Sequence, residues 1–262
     1  MAIQKPKLAV HKFSSCDGCQ LALLNLGQPL LQLPDLVDIV HFAEAGPNAP
    51  DERVDISLVE GSVATPEDIE RIKEIRKNSE LLVAIGACAT CGGIQALANF
   101  ADRSSWMGAV YSHPEVIDIL PTSDSILQHV KVDFQIQGCP VNSKQVLSAL
   151  RDLLSGVTPR PEQHSVCMEC KRMGNVCTLV SKGEACMGPV TRAGCGALCP
   201  ATGRGCYGCY GPAEQVNDRS IAARFEQLGH SADAVLRRFR FIANSAPAFK
   251  TAGEGLEGNT DG

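Results

Sequence analysis

The residues best suited to chemistry in this chain are its cysteines. There are 13 among 262 residues, and an odd number cannot all pair as disulfides. Thiols that are kept reduced inside a cell are typically metal ligands or redox groups rather than structural bridges. Five cysteines are scattered over the first 140 residues and eight are concentrated between positions 167 and 209, so we treat them as two groups.

The cysteines of the first group come after strand-like segments. Cys16 and Cys19 follow the run KLAVHKF, Cys88 follows ELLVAIGA, and Cys139 follows VDFQIQG. The carboxyl ends of parallel strands meet at one edge of a sheet, which is where such folds bind ligands. Four thiolates are the number that holds a four-iron cluster. Two thioredoxin-like redox pairs, one of them including Cys91, remain the alternative.

The cysteines of the second group follow the pattern C-x2-C-x6-C-x8-C and then C-x3-C-P-x5-C-x2-C. Eight ligands divide into two sets of four, which suits two iron–sulfur clusters. The pair Cys195 and Cys199 followed by Pro200 is similar to the C-x3-C-P element of bacterial ferredoxins. Two zinc sites remain the alternative, because four thiolates suit zinc equally well.

The first half of the chain alternates between strand-like and helix-like segments. Thr65, Pro66 and the two acidic residues after them predict a helix over 66–77. Apolar residues at helical spacing predict another helix over 142–154. Short apolar runs predict strands over 7–13, 36–42, 54–60, 80–87 and 132–138. This alternation predicts an α/β fold in which helices cover a mostly parallel sheet.

The second half of the chain has a different composition. The turn-rich stretch SGVTPRPEQ at 155–163 reads as a linker, so we place the first domain at 1–157. Residues 164–212 have many glycines and cysteines and few large aliphatic side chains. Such a segment needs cross-links or bound metals to stabilise its fold. Residues 213–242 show partial helical spacing. The small-residue tail at 243–262 is predicted to be flexible.

Composition and charge exclude several classes of function. The net charge of −5 and the aromatic content of 5% argue against binding to nucleic acid, whose partners are basic and use aromatic stacking. No apolar run approaches the roughly 20 residues that a membrane span needs. The first residues, MAIQKPKLAV, lack the features of an export signal, so we expect a cytoplasmic protein without a membrane span.

Four motifs in the first half carry a family resemblance. C-D-G-C-Q, V-E-G-S-V, G-A-C-A-T-C-G-G and G-C-P-V-N, in this order and spacing, resemble the small subunit of nickel–iron hydrogenases. The resemblance implies a flavodoxin-like, doubly wound parallel sheet followed by a small irregular iron–sulfur domain. It also implies a proximal 4Fe–4S cluster facing the nickel–iron site of a large subunit. The implied ligands are Cys16, Cys19, Cys88 and Cys139. Members of the family have different residues at the position of Cys91, so the resemblance implies that Cys91 is not a cluster ligand.

The cysteine-rich segment extends this resemblance. A-C-M-G-P-V-T-R-A-G-C resembles the family stretch that joins the distal and medial clusters. The implied distal ligands are Cys167, Cys170, Cys177 and Cys186. The implied medial ligands are Cys195, Cys199, Cys206 and Cys209. Periplasmic and membrane-linked members place a histidine at the distal position and a proline at the medial position where this chain has Cys167 and Cys199. The resemblance therefore implies three 4Fe–4S clusters.

The subgroup that fits best is the delta subunit of the cytoplasmic, NADP-linked hydrogenases (sulfhydrogenases). The implied role is an electron relay between a large subunit, which carries the nickel–iron centre, and flavin/iron–sulfur diaphorase subunits, which carry FAD and reduce NAD(P). Glu60, in V-E-G-S-V, is expected at the edge of the sheet that holds the proximal ligands. It could orient the cluster, face the partner, or be an ordinary strand-end carboxylate.

Three alternatives stay open on the sequence. One is a quinone-reductase subunit of the complex I type, which shares the fold but typically has adjacent cysteines where this chain has Cys16 and Cys19. Another is a hydrogenase small subunit that delivers electrons to a heterodisulfide reductase or a deazaflavin reductase. The last is a scaffold stapled by zinc, without redox function.

Overall fold

The computed structural model describes residues 5–257, which form two compact units. Unit 1 consists of the described residues up to Ile136 together with Pro140–Pro159. Unit 2 consists of Gln137–Cys139 and the described residues from Arg160 onward.

Unit 1 contains one parallel sheet of five strands. The strands are β1 (Lys7–Lys12), β2 (Asp38–Phe42), β3 (Val54–Glu60), β4 (Ser79–Ile85) and β5 (Phe134–Ile136). Their order across the sheet is β2-β1-β3-β4-β5, and every neighbouring pair is parallel. This is the flavodoxin-like order of the doubly wound folds, and it confirms the predicted fold class. Parallel sheets are covered on both faces, which is why β3 is buried at six of its seven residues.

The helices of unit 1 cover both faces of this sheet. They are α1 (Gly18–Leu24), α2 (Gln28–Leu36), α3 (Pro66–Asn78), α4 (Gly86–Cys91), α5 (Arg103–Val110) and α6 (Ser143–Leu154). Short 3₁₀ turns lie at Gln95–Phe100, Pro114–Val116 and Ile126–Gln128. One apolar cluster joins the strands to α1, α2 and α6, and a second joins them to α3. The strands and helices thus bury an aliphatic core that fixes the edge of the sheet in place.

Helix α3 shows how the sequence sets these elements. The Thr65 side chain accepts a hydrogen bond from the Asp68 N–H, and the Asp68 carboxylate accepts one from the Thr65 N–H. This reciprocal pair is a capping box, and Pro66 occupies the first helical position, where its missing N–H costs nothing. The helix predicted over 66–77 is confirmed, and it ends one residue later, at Asn78.

The described part of unit 2 contains helices and isolated bridges but no strand of the sheet. Its helices are α7 (Val166–Arg172), α8 (Thr178–Ser181), α9 (Leu198–Ala201), α10 (Asp218–Gln227), α11 (Ala232–Phe239) and α12 (Pro247–Glu257). Three fully buried phenylalanines, Phe225, Phe239 and Phe249, lie in the last three helices. The rings of Phe239 and Phe249 meet edge to face with centroids 5.8 Å apart, a favourable aromatic geometry.

Part of the tail that is predicted to be flexible is helical. Residues Pro247–Glu257 form a helix, and residues 258–262 lie outside the described part of the chain. The small residues that suggested mobility let α12 pack closely, since Ala252 and Gly253 are buried together with Phe249. Among residues 5–257, no helix combines the length and the hydropathy that crossing a membrane requires.

Candidate metal centres

Cys16 and Cys19 lie in the turn that joins β1 to α1. Asp17, between them, has a positive φ of 63°, which is uncommon for a residue with a side chain. This conformation turns the chain directly from the strand into the helix. Cys16 is exposed and Cys19 is buried. A Cβ added to Gly18 would stand 3.3 Å from Cys16 Sγ and 3.6 Å from Pro140 Cβ, so the turn has little spare room.

Glu60 stabilises this turn from the end of β3. Its carboxylate is 2% exposed and accepts hydrogen bonds from the Cys19 and Gln20 N–H groups, each at 3.1 Å. Burial raises the pKa of Glu60, while the two backbone donors act to lower it. Because these two N–H groups belong to the first turn of α1, they have no partner within the helix. The carboxylate therefore holds the Cys16–Cys19 turn against the sheet.

Cys88 lies in α4, which begins directly after β4. Its thiol donates to Gln95 Oε1 at 3.2 Å, and the Gln95 amide donates to the Ser14 carbonyl at 3.1 Å. The Cys88 loop and the segment that precedes Cys16 are thus linked through a single side chain. Gly93 closes the loop with φ +63°, and a Cβ there would stand 2.6 Å from Cys88 Sγ. The structure brings the turns that carry Cys16, Cys19 and Cys88 to the same edge of the sheet.

Cys91 has a different environment from Cys88, although both lie in α4. It is buried, and its thiol donates to the Ala87 carbonyl of its own helix at 3.2 Å. The Thr90 hydroxyl also contacts its sulfur, at 3.7 Å. This geometry is ordinary for a buried cysteine that packs as a small apolar residue.

Cys139 follows β5 by three residues and belongs to unit 2 by its contacts. Its backbone N–H donates to the sulfur of Cys209. Burial, followed by the negative charges of Cys195 and Cys139, raises the pKa of Cys209 to about 12. The structure thus groups Cys139 with Cys209 within unit 2.

Cys167, Cys170, Cys177 and Cys186 influence one another electrostatically. Burial raises the pKa of Cys167 to about 11, with smaller contributions from the negative charges of Cys186, Cys170 and Cys177. Such Coulomb effects require thiols that lie near one another. A Cβ on Gly188 would stand 3.4 Å from Cys186 Sγ and 3.5 Å from Cys167 Sγ. The absence of a side chain at this glycine leaves space beside both sulfurs.

Cys195, Cys199, Cys206 and Cys209 are also linked to one another. Cys209 is close enough to Cys195 and Cys199 for both to raise its pKa, and Cys209 has the same effect on Cys206. The backbone N–H of Cys206 donates to Cys186 Sγ at 3.2 Å. The N–H of Gly208 lies 3.5 Å from Cys206 Sγ. The two groups of four are therefore contiguous, with Cys186 and Cys206 at their junction.

Two glutamates that the sequence analysis did not single out hold the segments of this second group. Glu184 accepts a hydrogen bond from the Gly205 N–H at 2.6 Å. Glu169 accepts hydrogen bonds from the N–H groups of Gly194 and Ala197 at 2.9 and 3.2 Å. Their positions beside cysteines, Glu169 within a C-x-x-C pair and Glu184 two residues before Cys186, were the available signal.

The donor set fits iron–sulfur clusters. Every candidate ligand is a thiol, backbone N–H groups point at sulfurs, and glycines leave space beside them. N–H donors to sulfur are a principal means by which proteins adjust cluster potentials. Within residues 5–257, no three or more His, Cys, Asp or Glu side chains gather closely enough to hold a single metal ion.

Two comparisons of sequence decide the family. Residues 16–153 match the model of the family described as NADH ubiquinone oxidoreductase, 20 Kd subunit. The delta subunit of sulfhydrogenase 2 from Pyrococcus furiosus is 36% identical over 222 residues, which are 85% of this chain and 92% of that protein. The chain belongs to the family of hydrogenase small subunits.

Other proteins are similar over comparable lengths. One chain of the F420-non-reducing hydrogenase vhu from Methanocaldococcus jannaschii is 33% identical over 88% of this chain and 90% of its own length. Among solved structures, a chain of an NAD⁺-reducing nickel–iron hydrogenase has 27% identity and a TM-score of 0.56, covering 60% of this chain and 95% of that one. The recognition of a hydrogenase small subunit from four motifs is confirmed.

Proposed function

We propose that this hydrogenase subunit is an electron relay. It carries three 4Fe–4S clusters in series between a nickel–iron large subunit and a flavoprotein that reduces NAD(P). One observation carries the proposal furthest: the Cys167 and Cys186 sulfurs both lie beside the same glycine, Gly188, in a segment with few large buried side chains, and Cys170 and Cys177 are near enough to raise the pKa of Cys167. That arrangement is what a four-thiolate cluster needs. Most of the chain is similar to the delta subunit of a sulfhydrogenase, which supports the same role.

Each cluster has a proposed set of ligands. Cys16, Cys19, Cys88 and Cys139 bind the proximal cluster. Cys195, Cys199, Cys206 and Cys209 bind the medial cluster. Cys167, Cys170, Cys177 and Cys186 bind the distal cluster. A bound 4Fe–4S cluster supplies a site that takes up and releases one electron at a time. The protein contributes fixed ligands, partial burial and N–H donors to sulfur, as seen at Cys186 and Cys206.

The overall reaction balances with the chemistry divided among subunits. Oxidation of H2 on the large subunit releases two protons and two electrons. The electrons cross this chain singly, and NAD(P)⁺ on the flavoprotein takes up both of them with one proton. The sum is H2 + NAD(P)⁺ → NAD(P)H + H⁺. No covalent bond is made or broken by the side chains of this chain, so its role is placement and adjustment of potential.

The large subunit is proposed to cover the Cys16–Cys19 turn. Cys16 is exposed, and Leu21 on the following helix turn is 48% exposed although it is apolar. An exposed apolar side chain beside an electron-transfer ligand is suited to burial by a partner. A covered cluster is also protected from solvent, which helps set its potential.

A second acceptor is favoured by a specific similarity. The Methanocaldococcus jannaschii relative, whose name excludes F420 as its acceptor, matches nearly the whole chain. F420 is a deazaflavin, so this similarity disfavours a deazaflavin reductase as the partner and leaves a heterodisulfide reductase as the alternative to NAD(P). Co-purification of the intact complex distinguishes the two: a diaphorase with FAD supports NAD(P), and a heterodisulfide reductase in its place contradicts it.

Metal content tests the relay directly. Anaerobically purified protein should contain about twelve irons and as many acid-labile sulfides per chain, the number in three four-iron clusters. About two zinc ions per chain without iron would contradict the relay and favour the stapled scaffold.

A matched pair of substitutions tests the proximal ligands. Cys88→Ser should remove the proximal cluster and lower the content to about eight irons per chain. Cys91→Ser, three residues away in the same helix, should keep all of them, because the Cys91 thiol contacts its own helix. Iron and sulfide assays with electron paramagnetic resonance give the result. A loss of iron in Cys91→Ser with retention in Cys88→Ser would reverse the assignment.

The fourth medial ligand has its own test. Cys199→Pro should convert the medial cluster from four irons to three, because a three-iron cluster needs only three cysteines. Oxidised Cys199→Pro protein should then show a three-iron signal in electron paramagnetic resonance that the parent protein lacks. Spectra identical to the parent would mean that Cys199 is not a ligand.

A further inference from the structure

Glu169 connects the two cysteine groups of unit 2. It lies in α7 within the C-x-x-C pair that begins the first group. Its Oε1 accepts a hydrogen bond from the Gly194 N–H at 2.9 Å, and its Oε2 accepts one from the Ala197 N–H at 3.2 Å. Cys195 Sγ lies 3.9 Å from the same Oε2. One carboxylate thus contacts the chain on both sides of Cys195 as well as its sulfur.

The loop around Cys195 needs such support. Ala197 is fully buried with φ 50°, and Gly194 and Gly196 also have positive φ. A non-glycine residue in the left-handed region is strained, and it persists only where the surroundings hold it. The two hydrogen bonds to Glu169 provide that constraint, since they fix the N–H groups at each end of the turn that presents Cys195.

The same arrangement occurs in unit 1. Among residues 5–257, Asp17 and Ala197 are the only non-glycine residues with positive φ. Each lies in a cysteine loop, and in each loop a glutamate from another element accepts two backbone N–H groups. Glu60 holds the Cys16–Cys19 turn, and Glu169 holds the Cys195 turn. The recurrence on unrelated local structures indicates a common function for the two carboxylates.

The charge of Glu169 has a further consequence. A carboxylate near a metal-bound sulfur disfavours the addition of an electron, because reduction adds negative charge to the site. It also occupies two N–H donors that could otherwise stabilise the reduced form. Both effects lower the reduction potential of a cluster bound by Cys195.

We propose that Glu169 is a positioning residue that fixes the Cys195 loop and lowers the reduction potential of the medial cluster. The proposal rests on the proposed function, in which Cys195, Cys199, Cys206 and Cys209 hold that cluster. Glu169 is not an iron ligand in this proposal. It acts through the geometry of the loop and through its charge.

Three variants of the full-length chain, assembled with its large subunit, test this. Glu169→Gln keeps an acceptor but removes the charge, Glu169→Asp keeps the charge, and Glu169→Ala removes both. Glu214→Gln is the matched control, since Glu214 is exposed on the same unit. Iron and sulfide are counted first, and a redox titration followed by electron paramagnetic resonance then gives the midpoint of each cluster.

Glu169→Gln should raise one of the three midpoints and leave the other two unchanged, with full iron content. In Glu169→Asp, that midpoint should lie nearer to the parent value than in Glu169→Gln. Glu214→Gln should leave all three midpoints unchanged. Glu169→Ala should speed hydrogen exchange at the Gly194 and Ala197 amides several-fold, because the loop loses its acceptor. Exchange is compared between parent and Glu169→Ala samples of equal iron content, because loss of iron would itself speed exchange in this segment.

The outcomes separate this proposal from the proposed function. Parent protein without iron would contradict the relay itself. Parent protein with three clusters, whose midpoints are the same in Glu169→Gln as in Glu214→Gln, would overturn only the role of Glu169 in the potential. Unchanged exchange in Glu169→Ala would overturn its positioning role.

Discussion

The two units place the same thiol chemistry in opposite relation to their cores. In unit 1, five strands and their helices bury a large aliphatic core, and the cysteines stand in turns at the sheet edge. In unit 2, residues 164–212 contribute few large buried side chains, and Cys186 and Cys206 are themselves only 7% and 4% exposed. Cys19 of unit 1 is also only 7% exposed, but it is a small part of a large aliphatic core, whereas Cys186 and Cys206 are a large part of what residues 164–212 bury.

This contrast indicates how each site is held in place. A packed sheet supports its edge turns whether or not a cofactor is bound, because its hydrophobic burial is independent of the ligands. A segment without an adequate apolar core must obtain stability from metal binding, as small metal-stapled domains do. The glutamates Glu60 and Glu169 are the feature that both units share, since each fixes a cysteine turn through backbone N–H groups.

Removal of iron should have the largest effect and should separate the units. After anaerobic chelation, we expect residues 164–212 to lose their protection from hydrogen exchange, because few large side chains besides the cysteines are buried there. Amides of β1, β3 and β4 should stay protected. Hydrogen exchange with mass spectrometry gives the measurement, and reconstitution with iron and sulfide is the control. Equal loss of protection in both units would contradict the contrast.

A single methyl group should remove one cluster from unit 1. Gly93→Ala would place a Cβ 2.6 Å from Cys88 Sγ and 2.9 Å from Cys88 Cα, closer than real Cβ contacts allow. We expect Cys88 to be displaced and about four irons per chain to be lost. Iron assay and electron paramagnetic resonance provide the measurement.

Gly27→Ala is the matched control for this substitution. Gly27 has φ +68°, close to the +63° of Gly93, but a Cβ there has nothing within 4 Å. It therefore carries the same backbone strain, about 1–2 kcal/mol, without the collision. Iron content should stay complete in Gly27→Ala. A similar loss in both variants would show that backbone strain, rather than crowding of Cys88, removes the cluster.

The fold of unit 1 could be predicted from sequence because its signals are local. Thr65, Pro66 and Asp68 specify the start of α3 by capping, and apolar runs specify buried strands. Parallel strands connected by helices then restrict the topology to a few arrangements. Because the strands are parallel, the cysteines that follow β1 and β4 were expected at the same edge of the sheet. The three-residue length of β5 did not, because strand boundaries depend on tertiary pairing.

The roles of Glu169 and Gln95 could not be predicted in the same way. Glu169 contacts Gly194 and Ala197, more than 20 residues away, in a region without periodic secondary structure. No rule of spacing relates such positions. The helix at Pro247–Glu257 was missed for a related reason, because its stability comes from burial of Phe249 rather than from the helix propensity of its residues.

The smallest predicted effect concerns a property of unit 1 that involves no cysteine. His11 on β1 is 2% exposed, and its ring lies 4.8 Å from that of His41 on β2. Burial, with help from the charges of His41 and Arg71, lowers the pKa of His11 to about 3. The folded state therefore keeps His11 neutral at a pH where the unfolded chain already binds a proton.

The sign of the resulting pH dependence follows from linkage. This contribution to stability is complete above the ordinary pKa of 6.5 and is lost as the pH falls toward 3. Between pH 7.0 and 5.5 the loss is about 1.2 kcal/mol in the free energy of opening the sheet. Native-state hydrogen exchange of the β1 and β3 amides measures it. In His11→Leu, the free energy of opening should change between pH 7.0 and 5.5 by about 1.2 kcal/mol less than in the parent protein. His113→Gln, at an exposed loop position, should show the same change as the parent. If the β-sheet amides of His11→Leu keep the full pH dependence of the parent, the acid sensitivity of unit 1 does not arise from His11.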